Sequence, residues 1–328
     1  MDNILTYTDV HKRFNLESGL FSSFGRFVYA ANGISFKIKR GTTYGLVGES
    51  GCGKTTTARL GVGMYHHDAG KIVYRGSDGS SFDSERMEKA QLKKLRQKMK
   101  YIFQDPAKSL NPRMNIYRIL TSGYRHAESW PGESEARREA EQIMLDVGLS
   151  PGDLSRRPTD FSGGQRQRIS IARALIMKPE FIICDEVVSA LDVSIQSQIL
   201  NLLMDIRGKY GLSILFIAHD LTVTSWFCDR IGVMYRGRIV EEAAAQDIAA
   251  DRFHPYTRLL YDSIPSRMMI HRDRKSGTAA EFDSGRPLTG CPFEHRCPYS
   301  VPRCTEEVPE LEKVGDGHLS ACFRNGEI

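Results

Sequence analysis

Short apolar runs alternate with helical patterns along much of the chain. The runs lie at residues 43–47, 181–184 and 214–218, and a helical pattern begins at about Lys54, after a glycine-rich turn. Strands that alternate with helices in this way form a mostly parallel sheet with helices on its faces. The pattern therefore predicts an α/β fold built on such a sheet.

Between residues 104 and 161 the pattern is mainly helical, with stretches separated by Pro and Gly. One such stretch covers residues 133–147 and ends before a glycine. We interpret this part of the chain as a helical subdomain of about residues 105–172, inserted into the sheet domain. Farther along, β-rich stretches on both sides of Arg236-Gly237 predict a hairpin that closes the core.

The length of 328 residues suits one α/β domain with a smaller extension. After the hairpin the composition shifts, and a polar stretch at residues 272–285 resembles a linker. We therefore predict a large sheet domain over residues 1–255 and a C-terminal extension over residues 256–328.

Composition says more about where the chain is located than about which ligand it binds. The hydrophobic fraction is 41%, and the apolar runs are far shorter than the roughly 20 residues that a membrane span needs. The first residues lack a basic region followed by an apolar core, so we expect no secretion signal and a cytosolic location. The net charge of +5 suits nucleic acid, acidic headgroups or a phosphate ligand equally well. The densest basic run, residues 89–100, has the spacing of an amphipathic helix and is interpreted as a solvated helix face.

Residues 48–55 read Gly-Glu-Ser-Gly-Cys-Gly-Lys-Thr and match the phosphate-loop motif in full, between a predicted strand and a predicted helix. Glycines let backbone N–H groups turn inward around a phosphate, and the helix N-terminus adds partial positive charge. Lys54 is expected to bridge the β- and γ-phosphates of ATP, and Thr55 to supply a hydroxyl to Mg²⁺. Cys52 is interpreted as a small filler rather than a redox switch. The expected nucleotide contacts are Gly48, Ser50, Gly51, Cys52, Gly53, Lys54, Thr55 and Thr56.

The apolar run at 181–184 ends in two acids, Asp185 and Glu186. The end of a parallel strand is also where the phosphate loop opens, so both carboxylates are expected near the nucleotide. Asp185 is predicted to hold Mg²⁺ through water, and Glu186 to orient and polarise the attacking water.

A family resemblance enters at residues 161–168, which read Phe-Ser-Gly-Gly-Gln-Arg-Gln-Arg. They resemble the signature motif of the ABC ATPases, whose usual form begins with Leu. The resemblance implies a P-loop NTPase of RecA-like fold with an added antiparallel β subdomain. It also implies that two ATPase subunits pack head to tail, so that the signature of each covers the γ-phosphate bound by the other. The signature contacts are then Ser162, Gly163, Gly164 and Gln165.

Further elements of that family follow in order. Gln104 resembles the glutamine that contacts Mg²⁺ and the coupling helix of a transmembrane partner. Asp192 ends a segment that resembles the loop communicating across the dimer, and His219 resembles the switch histidine at the γ-phosphate. Val187 stands where the family often has Pro, but the Glu186 carboxylate is kept, so we expect hydrolysis.

The adenine contact has several candidates. The family stacks the base on an aromatic ring near the first strand, and Phe14 is our choice. Phe27 and Tyr29 are alternatives, and Phe14 as an ordinary core residue is another.

The segment His-Pro-Tyr-Thr-Arg-Leu-Leu at 254–260 resembles the one that marks the oligopeptide, dipeptide and nickel importer branch of ABC ATPases. After it, four of the seven cysteines share the last forty residues, which in a cytosolic chain suggests metal before disulfides. A [4Fe-4S] cluster and a structural zinc both suit four thiolates. The resemblance favours the [4Fe-4S] cluster, and four thiols without a metal are the remaining alternative. The cysteines are Cys291, Cys297, Cys304 and Cys322.

The sequence thus predicts an ATPase that energises an ABC importer, with oligopeptides or dipeptides as cargo, at the cytoplasmic face of the membrane. The expected partners are a homologous ATPase subunit, two transmembrane permease subunits and an external binding protein, with no nucleic acid. Three alternatives stay open: a nickel importer, a soluble ABC protein of translation or DNA repair, and a subunit of a metabolic complex such as phosphonate degradation.

Overall fold

The computed structural model describes residues 2–15, 27–85, 87–189, 191–250, 252–263 and 289–328. The predicted linker at 272–285 lies outside these residues. In chain order the strands are β1 (Asn3–Asn15), β2 (Phe27–Lys39), β3 (Thr43–Val47), β4 (Ala69–Arg75), β5 (Ser81–Asp83), β6 (Met99–Ile102), β7 (Phe181–Asp185), β8 (Ser213–Ala218), β9 (Arg230–Tyr235), β10 (Arg238–Ala244), β11 (Glu312–Gly315) and β12 (His318–Ser320). The α-helices are α1 (Lys54–Gly61), α2 (Lys89–Lys98), α3 (Pro106–Ser109), α4 (Ile116–Thr121), α5 (Glu133–Asp146), α6 (Gly163–Leu175), α7 (Val193–Tyr210), α8 (Leu221–Phe227), α9 (Ala245–Ala250), α10 (Pro255–Asp262) and α11 (Arg303–Glu306).

The central strands are buried along their whole length, as in a sheet covered on both faces. Every residue of β3, β7 and β8 is buried. Within the described residues the larger sheet has eight strands in the order β11-β12-β10-β9-β3-β8-β7-β6. Strands β6 to β9 and β3 pair in parallel. The predicted mostly parallel sheet is therefore confirmed, and β3 lies between β8 and β9.

A smaller antiparallel sheet lies beside the first, in the order β2-β1-β4-β5 among the described strands. Tyr7 of β1 and Phe36 of β2 stack with centroids 4.4 Å apart, and Phe36 stacks on Tyr44 of β3 at 4.8 Å. Tyr7 also donates a hydrogen bond from its hydroxyl to the carbonyl oxygen of Thr57 in α1, at 2.9 Å. These contacts hold the antiparallel sheet against the strand and helix that flank the phosphate loop.

The predicted hairpin joins β9 to β10. Arg236 and Gly237 both have positive φ, 45° and 78°, which is the conformation of a type I′ turn. The turn is anchored from outside as well, because the N–H of Gly237 donates to the carbonyl oxygen of Cys52 at 2.9 Å. The N–H of Asn32 in β2 donates to the carbonyl oxygen of Gly237 at 2.8 Å. The hairpin tip thus links the phosphate loop to the antiparallel sheet.

Helices α3 to α6 occupy the chain between β6 and β7, where the helical subdomain is predicted. Helix α5 ends at Asp146, one residue before the predicted end. Buried residues of α4 and α5 pack with the inner face of α6 in one hydrophobic core. Those inner-face residues of α6 are Ile169, Ile171, Ala172 and Leu175.

The residues after 289 complete the larger sheet. Strand β12 pairs antiparallel with β10, with Glu241 opposite Ser320, and β11 pairs with β12. Glu241 is fully buried and accepts a hydrogen bond from Nε2 of His318 at 2.7 Å. The division of the chain at residue 255 remains a prediction, but the last strands share a sheet with the core.

Candidate functional site

The phosphate loop is closed around its own lysine. Lys54 begins α1 and is only 4% exposed, and its Nζ donates to the carbonyl oxygens of Gly48 and Glu49 at 2.7 and 2.9 Å. Gly53 has φ +109°, and a Cβ there would lie 2.0 Å from the carbonyl oxygen of Ala30. Only glycine fits that position. Before a nucleotide binds, two loop carbonyls thus hold the lysine that is predicted to bridge the phosphates.

Thr55 and Asp185 meet at the carboxyl end of the central strands. The hydroxyl of Thr55 donates to Oδ1 of Asp185 at 2.9 Å. The second oxygen, Oδ2, accepts from the Tyr101 hydroxyl at 2.5 Å. Burial, followed by the nearby charge of Asp185, raises the pKa of Tyr101, so its hydroxyl keeps the proton that it donates. Two of the residues expected to hold Mg²⁺, Thr55 and Asp185, are therefore in contact, and Tyr101 orients the carboxylate of Asp185.

Tyr101 is a site residue that sequence reasoning missed. It lies in β6, and the register of the sheet places it opposite Ile183 of β7, two residues before Asp185. In the sequence, the one sign of this contact with Asp185 is a tyrosine near the end of a short apolar run. The pairing of β6 with β7 is what gives it a role.

Glu186 follows β7 in an unusual backbone conformation, with φ +49°. One oxygen of its carboxylate, Oε2, accepts from Nε2 of Gln104 at 2.8 Å. The chain turns directly afterwards, because the hydroxyl of Ser189 donates to the carbonyl oxygen of Glu186 at 2.9 Å. Val187, in the place where the family often has Pro, is 2% exposed and packs in the core. The predicted hydrolytic carboxylate and the predicted glutamine are thus in direct contact.

The signature residues form the exposed N-terminus of α6. Ser162 is the N-cap and accepts from the N–H of Gln165 at 3.3 Å, while the Gln165 side chain accepts from the N–H of Ser162 at 3.0 Å. This capping box satisfies two backbone N–H groups at the start of the helix, and the first turn is exposed to solvent. A Cβ at Gly164 would lie 2.7 Å from Ile195 of α7. Phe161 is 4% exposed, so the residue that departs from the usual Leu serves the core.

Asp192 and His219 are both exposed and lie in loops. Asp192 caps α7 by accepting from the N–H of Ile195 at 2.9 Å and from the hydroxyl of Ser194 at 2.8 Å. The Ile195 hydrogen bond is the first cause that lowers the pKa of Asp192. His219 is exposed directly after β8. Within the chain, then, Asp192 caps a helix, and its part in nucleotide binding and in communication across a dimer stays a prediction.

The candidate adenine contacts cluster at one end of the antiparallel sheet. Phe14 pairs with Val28, and the neighbouring pairs contain Phe27 and Tyr29. The Phe14 ring packs edge-on against Tyr65 with centroids 5.4 Å apart. This end of β2 runs into Ala30, whose carbonyl oxygen approaches the phosphate loop. All three aromatic candidates therefore remain open.

The C-terminal part of the chain reaches the phosphate loop at Glu49, which sequence reasoning also missed. The backbone N–H of Glu49 donates to the Tyr256 hydroxyl at 2.8 Å. The Glu49 carboxylate accepts from both terminal nitrogens of Arg296, each at 2.8 Å. Tyr256 belongs to the 254–260 segment, which was assigned only by resemblance. Nothing in the spacing of the sequence pointed to either contact.

The four C-terminal cysteines line one small pocket together with His254 and Phe293. All seven cysteines lie in the described residues and carry free thiols. Burial, followed by the neighbouring thiols, raises the pKa of Cys291 to about 11. Across the described ranges, no group of three or more His, Cys, Asp or Glu side chains is arranged to hold a metal ion. The predicted metal centre is therefore not supported by the structure.

Comparison with known proteins agrees with the motifs and the fold. Residues 31–189 match the ABC transporter family, and residues 240–304 match the oligopeptide/dipeptide transporter C-terminal region. The chain is 40% identical over 324 residues to the oligopeptide transport ATP-binding protein AppF of Bacillus subtilis (strain 168), covering 98% of this chain and 97% of the relative. It is 44% identical over 293 residues to the putative peptide import ATP-binding protein BOV_A0347 of Brucella ovis, covering 89% and 90%.

Solved structures show the same fold. The cbiO1 subunit of Clostridium perfringens, part of the ABC transporter complex cbiONQ, superposes with a TM-score of 0.65 at 26% identity, covering 77% of this chain and 92% of that one. The ATP-binding cassette MJ0796 in a dimeric post-hydrolysis state, bound to ADP and Pi, has a TM-score of 0.61 at 24% identity, covering 74% and 98%. In the part of this chain that the structure describes, no helix is both long and apolar enough to span a bilayer.

Proposed function

Because this chain belongs to the ABC transporter ATP-binding proteins with an oligopeptide/dipeptide transporter C-terminal region, we propose that its ATPase activity powers the import of oligopeptides or dipeptides. The observation that carries the cargo class is the match at residues 240–304. Relatives named for peptide transport cover nearly the whole chain, which adds to it. Cargo selection itself resides in the partner subunits.

Nucleotide binding is assigned to the phosphate loop. We expect Lys54 to exchange the carbonyl oxygens of Gly48 and Glu49 for the β- and γ-phosphates of ATP. Hydrogen bonds from its ammonium group to negatively charged phosphates are stronger than those to neutral carbonyl oxygens. The backbone N–H groups of the loop and the hydroxyl of Thr56 take the remaining phosphate oxygens. The adenine stacks on an aromatic ring at the end of β1 and β2, with Phe14 as first choice and Phe27 or Tyr29 as alternatives.

Magnesium accompanies the nucleotide, and the oxygen donors near Thr55 suit this hard cation. The contact of Thr55 with Asp185 supports a shared role for their oxygens, and Tyr101 fixes the carboxylate from its other side. Gln104 adds an amide oxygen from the neighbouring loop. Thr55, Asp185 and Gln104 would hold the ion, which would supply positive charge against the phosphates, and Tyr101 would orient the carboxylate of Asp185.

Hydrolysis is assigned to Glu186 and His219. Glu186 accepts hydrogen bonds at the strand end beside Asp185, which suits a carboxylate that orients an attacking water in line with the γ-phosphate. His219 follows the adjacent strand β8 and donates to the γ-phosphate. The exposure of His219 leaves it free to reach a nucleotide that a second subunit completes.

The signature helix is assigned to the second subunit's nucleotide. Its N-terminus is exposed and capped, so its N–H groups and partial positive charge are available to an anion outside the chain. Val193, beside Asp192, is 79% exposed, which is unusual for a large apolar side chain outside an interface. We infer a head-to-tail dimer with two nucleotides at its interface, formed with a homologous chain or with a second copy of this one.

A groove beside Gln104 is proposed to receive a permease subunit. It lies between β6 and the helical subdomain, with Phe103, Met64 and Met177 among its apolar lining and Arg96 and Lys100 at its edge. Burial lowers the pKa of Lys100 to about 8, so its charge is poorly hydrated and suits a partner carboxylate. Two permease subunits and an external binding protein complete the importer, with this chain at the cytoplasmic face of the membrane.

We also propose a metal centre at Cys291, Cys297, Cys304 and Cys322, with a [4Fe-4S] cluster ahead of zinc. Their side chains line one pocket, and thiolates are the usual donors for both groups. The four side chains would hold the group. The proposal is supported by their shared pocket and by the family resemblance, since the described residues contain no group arranged to hold a metal ion. The centre has a structural or regulatory role, because it lies outside the nucleotide motifs.

The function is tested by transport in the native organism. A strain that lacks this chain should lose uptake of a radiolabelled tripeptide into intact cells, and the unaltered chain should restore it. The Glu186→Gln chain should not restore it, although it is made at the same level. Loss of nickel-63 uptake with normal peptide uptake would instead identify a nickel importer. Purification with soluble lyase subunits rather than permeases would favour the metabolic complex.

A further inference from the structure

Glu49 connects the phosphate loop to the C-terminal part of the chain through two of its groups. Its N–H donates to the Tyr256 hydroxyl, and its carboxylate is clamped by Arg296. Its carbonyl oxygen accepts from Lys54. One residue of the loop is therefore bonded both to the lysine of the nucleotide site and to two side chains more than 200 positions away in sequence.

Aromatic side chains support the guanidinium of Arg296 beside Glu49. Its guanidinium lies 5.6 Å from the Phe293 ring centroid and 5.8 Å from that of Tyr235. Phe293, Tyr235 and Tyr256 pack together, with centroid separations of 4.5 to 5.4 Å, and all three are almost fully buried. A planar guanidinium on a rigid aromatic surface loses little freedom when it forms a bidentate pair.

The pair has an electrostatic consequence for the nucleotide. A carboxylate inside a phosphate loop repels the phosphates of ATP unless its charge is compensated. Arg296 supplies that compensation with two charge-assisted hydrogen bonds, and both side chains are about two-thirds or more shielded from water.

We propose that Arg296 is a positioning residue for the phosphate loop: through Glu49 it neutralises the loop and holds its backbone while Lys54 exchanges loop carbonyls for phosphates. The contacts described for Arg296 are with Glu49, Tyr235 and Phe293, and none of these residues is assigned to hydrolysis. Its effect is therefore confined to nucleotide affinity, and the groups that cleave ATP at saturation lie on other elements. The C-terminal segment is in this sense part of the ATP site.

The first test is nucleotide affinity of the full-length chain, measured with a fluorescent non-hydrolysable ATP analogue. Arg296→Gln should weaken binding by about fivefold, the upper range for a partly exposed ion pair. Arg296→Lys keeps the positive charge but cannot form the bidentate pair with Glu49. Its affinity for the analogue should therefore lie between that of the unaltered chain and that of Arg296→Gln. The matched control is Arg303→Gln, which removes an arginine-carboxylate pair with Glu307 in the same segment, away from the loop. That control should bind as the unaltered chain does.

The second test is a double-mutant cycle with Glu49→Gln. Once the carboxylate is gone, Arg296→Gln should cost no further affinity, because the proposed effect runs entirely through Glu49. In the assembled transporter, Arg296→Gln should raise the KM for ATP and leave kcat within about twofold. Equal affinities of the Arg296 and Arg303 variants, the same loss in both Glu49 backgrounds, or a fall in kcat alone would each overturn the proposal. Since affinity is measured on the chain alone, the outcome is independent of which cargo is transported.

Discussion

The side-chain amide of Gln104 donates to the carboxylate of Glu186 across 2.8 Å, joining the loop after β6 to the end of β7. The same loop borders the groove that we assign to a permease, through Phe103. The hydrogen bond therefore links the loop beside the proposed permease groove to the carboxylate assigned to hydrolysis. The amide nitrogen of Gln104 makes this bond, and the amide oxygen is the atom proposed to contact Mg²⁺.

Replacement of Glu186 by Gln should separate nucleotide binding from turnover. The amide keeps the size and the hydrogen-bonding capacity of the side chain but cannot accept a proton from water. ATP affinity should be unchanged, steady-state hydrolysis should fall by at least about 100-fold, and a closed dimer should accumulate. Phosphate release and size-exclusion chromatography with ATP measure the two effects. Hydrolysis at the unaltered rate would remove Glu186 from this role.

Replacement of Lys54 by Ala should act on binding itself. The variant loses the cation that the loop carbonyls hold ready for the phosphates, and it leaves those carbonyls without their donor. Affinity for ATP should fall by more than about tenfold, because hydrogen bonds to charged groups contribute roughly 1.5–3 kcal/mol. Equilibrium binding of a fluorescent ATP analogue tests this. An affinity like that of the unaltered chain would contradict the assignment of the loop.

Replacement of Tyr101 by Phe should weaken the response to magnesium. The change removes only the hydroxyl that orients Asp185, and loss of such an outer partner typically costs about 10- to 100-fold in metal affinity. The Mg²⁺ concentration that gives half-maximal ATPase activity should therefore rise by about tenfold, while activity at saturating Mg²⁺ recovers. The matched control is Tyr210→Phe, which removes a tyrosine-aspartate hydrogen bond with Asp146, far from the site. A normal magnesium response of the Tyr101 variant would exclude this role.

The acid stability of the chain should depend on His254. This residue caps α10 with Nδ1 and is fully buried, and burial lowers its pKa from 6.5 to about 4, against an opposing effect of Glu241. The folded state favours the neutral ring, so its contribution to stability is complete above pH 6.5 and is lost as the pH falls through 4. At pH 5 the loss is about 2 kcal/mol in the free energy of unfolding.

His254→Asn keeps a capping side chain but does not titrate. Its free energy of unfolding in urea should therefore fall less between pH 7 and pH 5 than that of the unaltered chain, by the same amount of about 2 kcal/mol. His126→Asn, at an exposed histidine of the helical subdomain, is the control and should keep the original pH dependence. An identical pH dependence in both variants would show that His254 does not contribute.

Metal analysis decides among the three states of the C-terminal cysteines. Full-length protein purified without oxygen should be brown and contain about four irons per chain, and Cys304→Ser should lose most of that iron. Colourless protein with one zinc per chain would replace the cluster by a structural zinc. Protein with neither metal would mean that the four thiols are unligated.

The sequence was informative where the chemistry is local. Strand β3, the start of α1 and the turn at Arg236-Gly237 were predicted correctly, because each depends on neighbouring residues and on backbone conformations that few residues adopt. The rule that parallel strands end at one edge of a sheet placed Asp185 near the phosphate loop, where it contacts Thr55. The role of these residues in binding a nucleotide stays a prediction.

Contacts between distant segments could not be predicted in the same way. The pairing of β12 with β10, the hydroxyl of Tyr101 and the clamp of Arg296 on Glu49 all depend on the register of strands and on how a later segment packs. None of them changes the periodicity or composition of its own segment. The linear sequence therefore contains no local pattern that distinguishes Arg296 from Arg303.

The position of β3 between β8 and β9 has a consequence for how the chain is made. Its hydrogen-bonded neighbours begin at Ser213 and Arg230, about 170 and 190 residues later. During synthesis this strand, which is fully buried in the folded chain, therefore leaves the ribosome long before either partner exists. Such delayed pairing exposes nascent chains to aggregation. We therefore expect the yield of active subunit in a cell to depend on chaperones that bind the first half of the nascent chain, more than on chaperones that bind the finished protein.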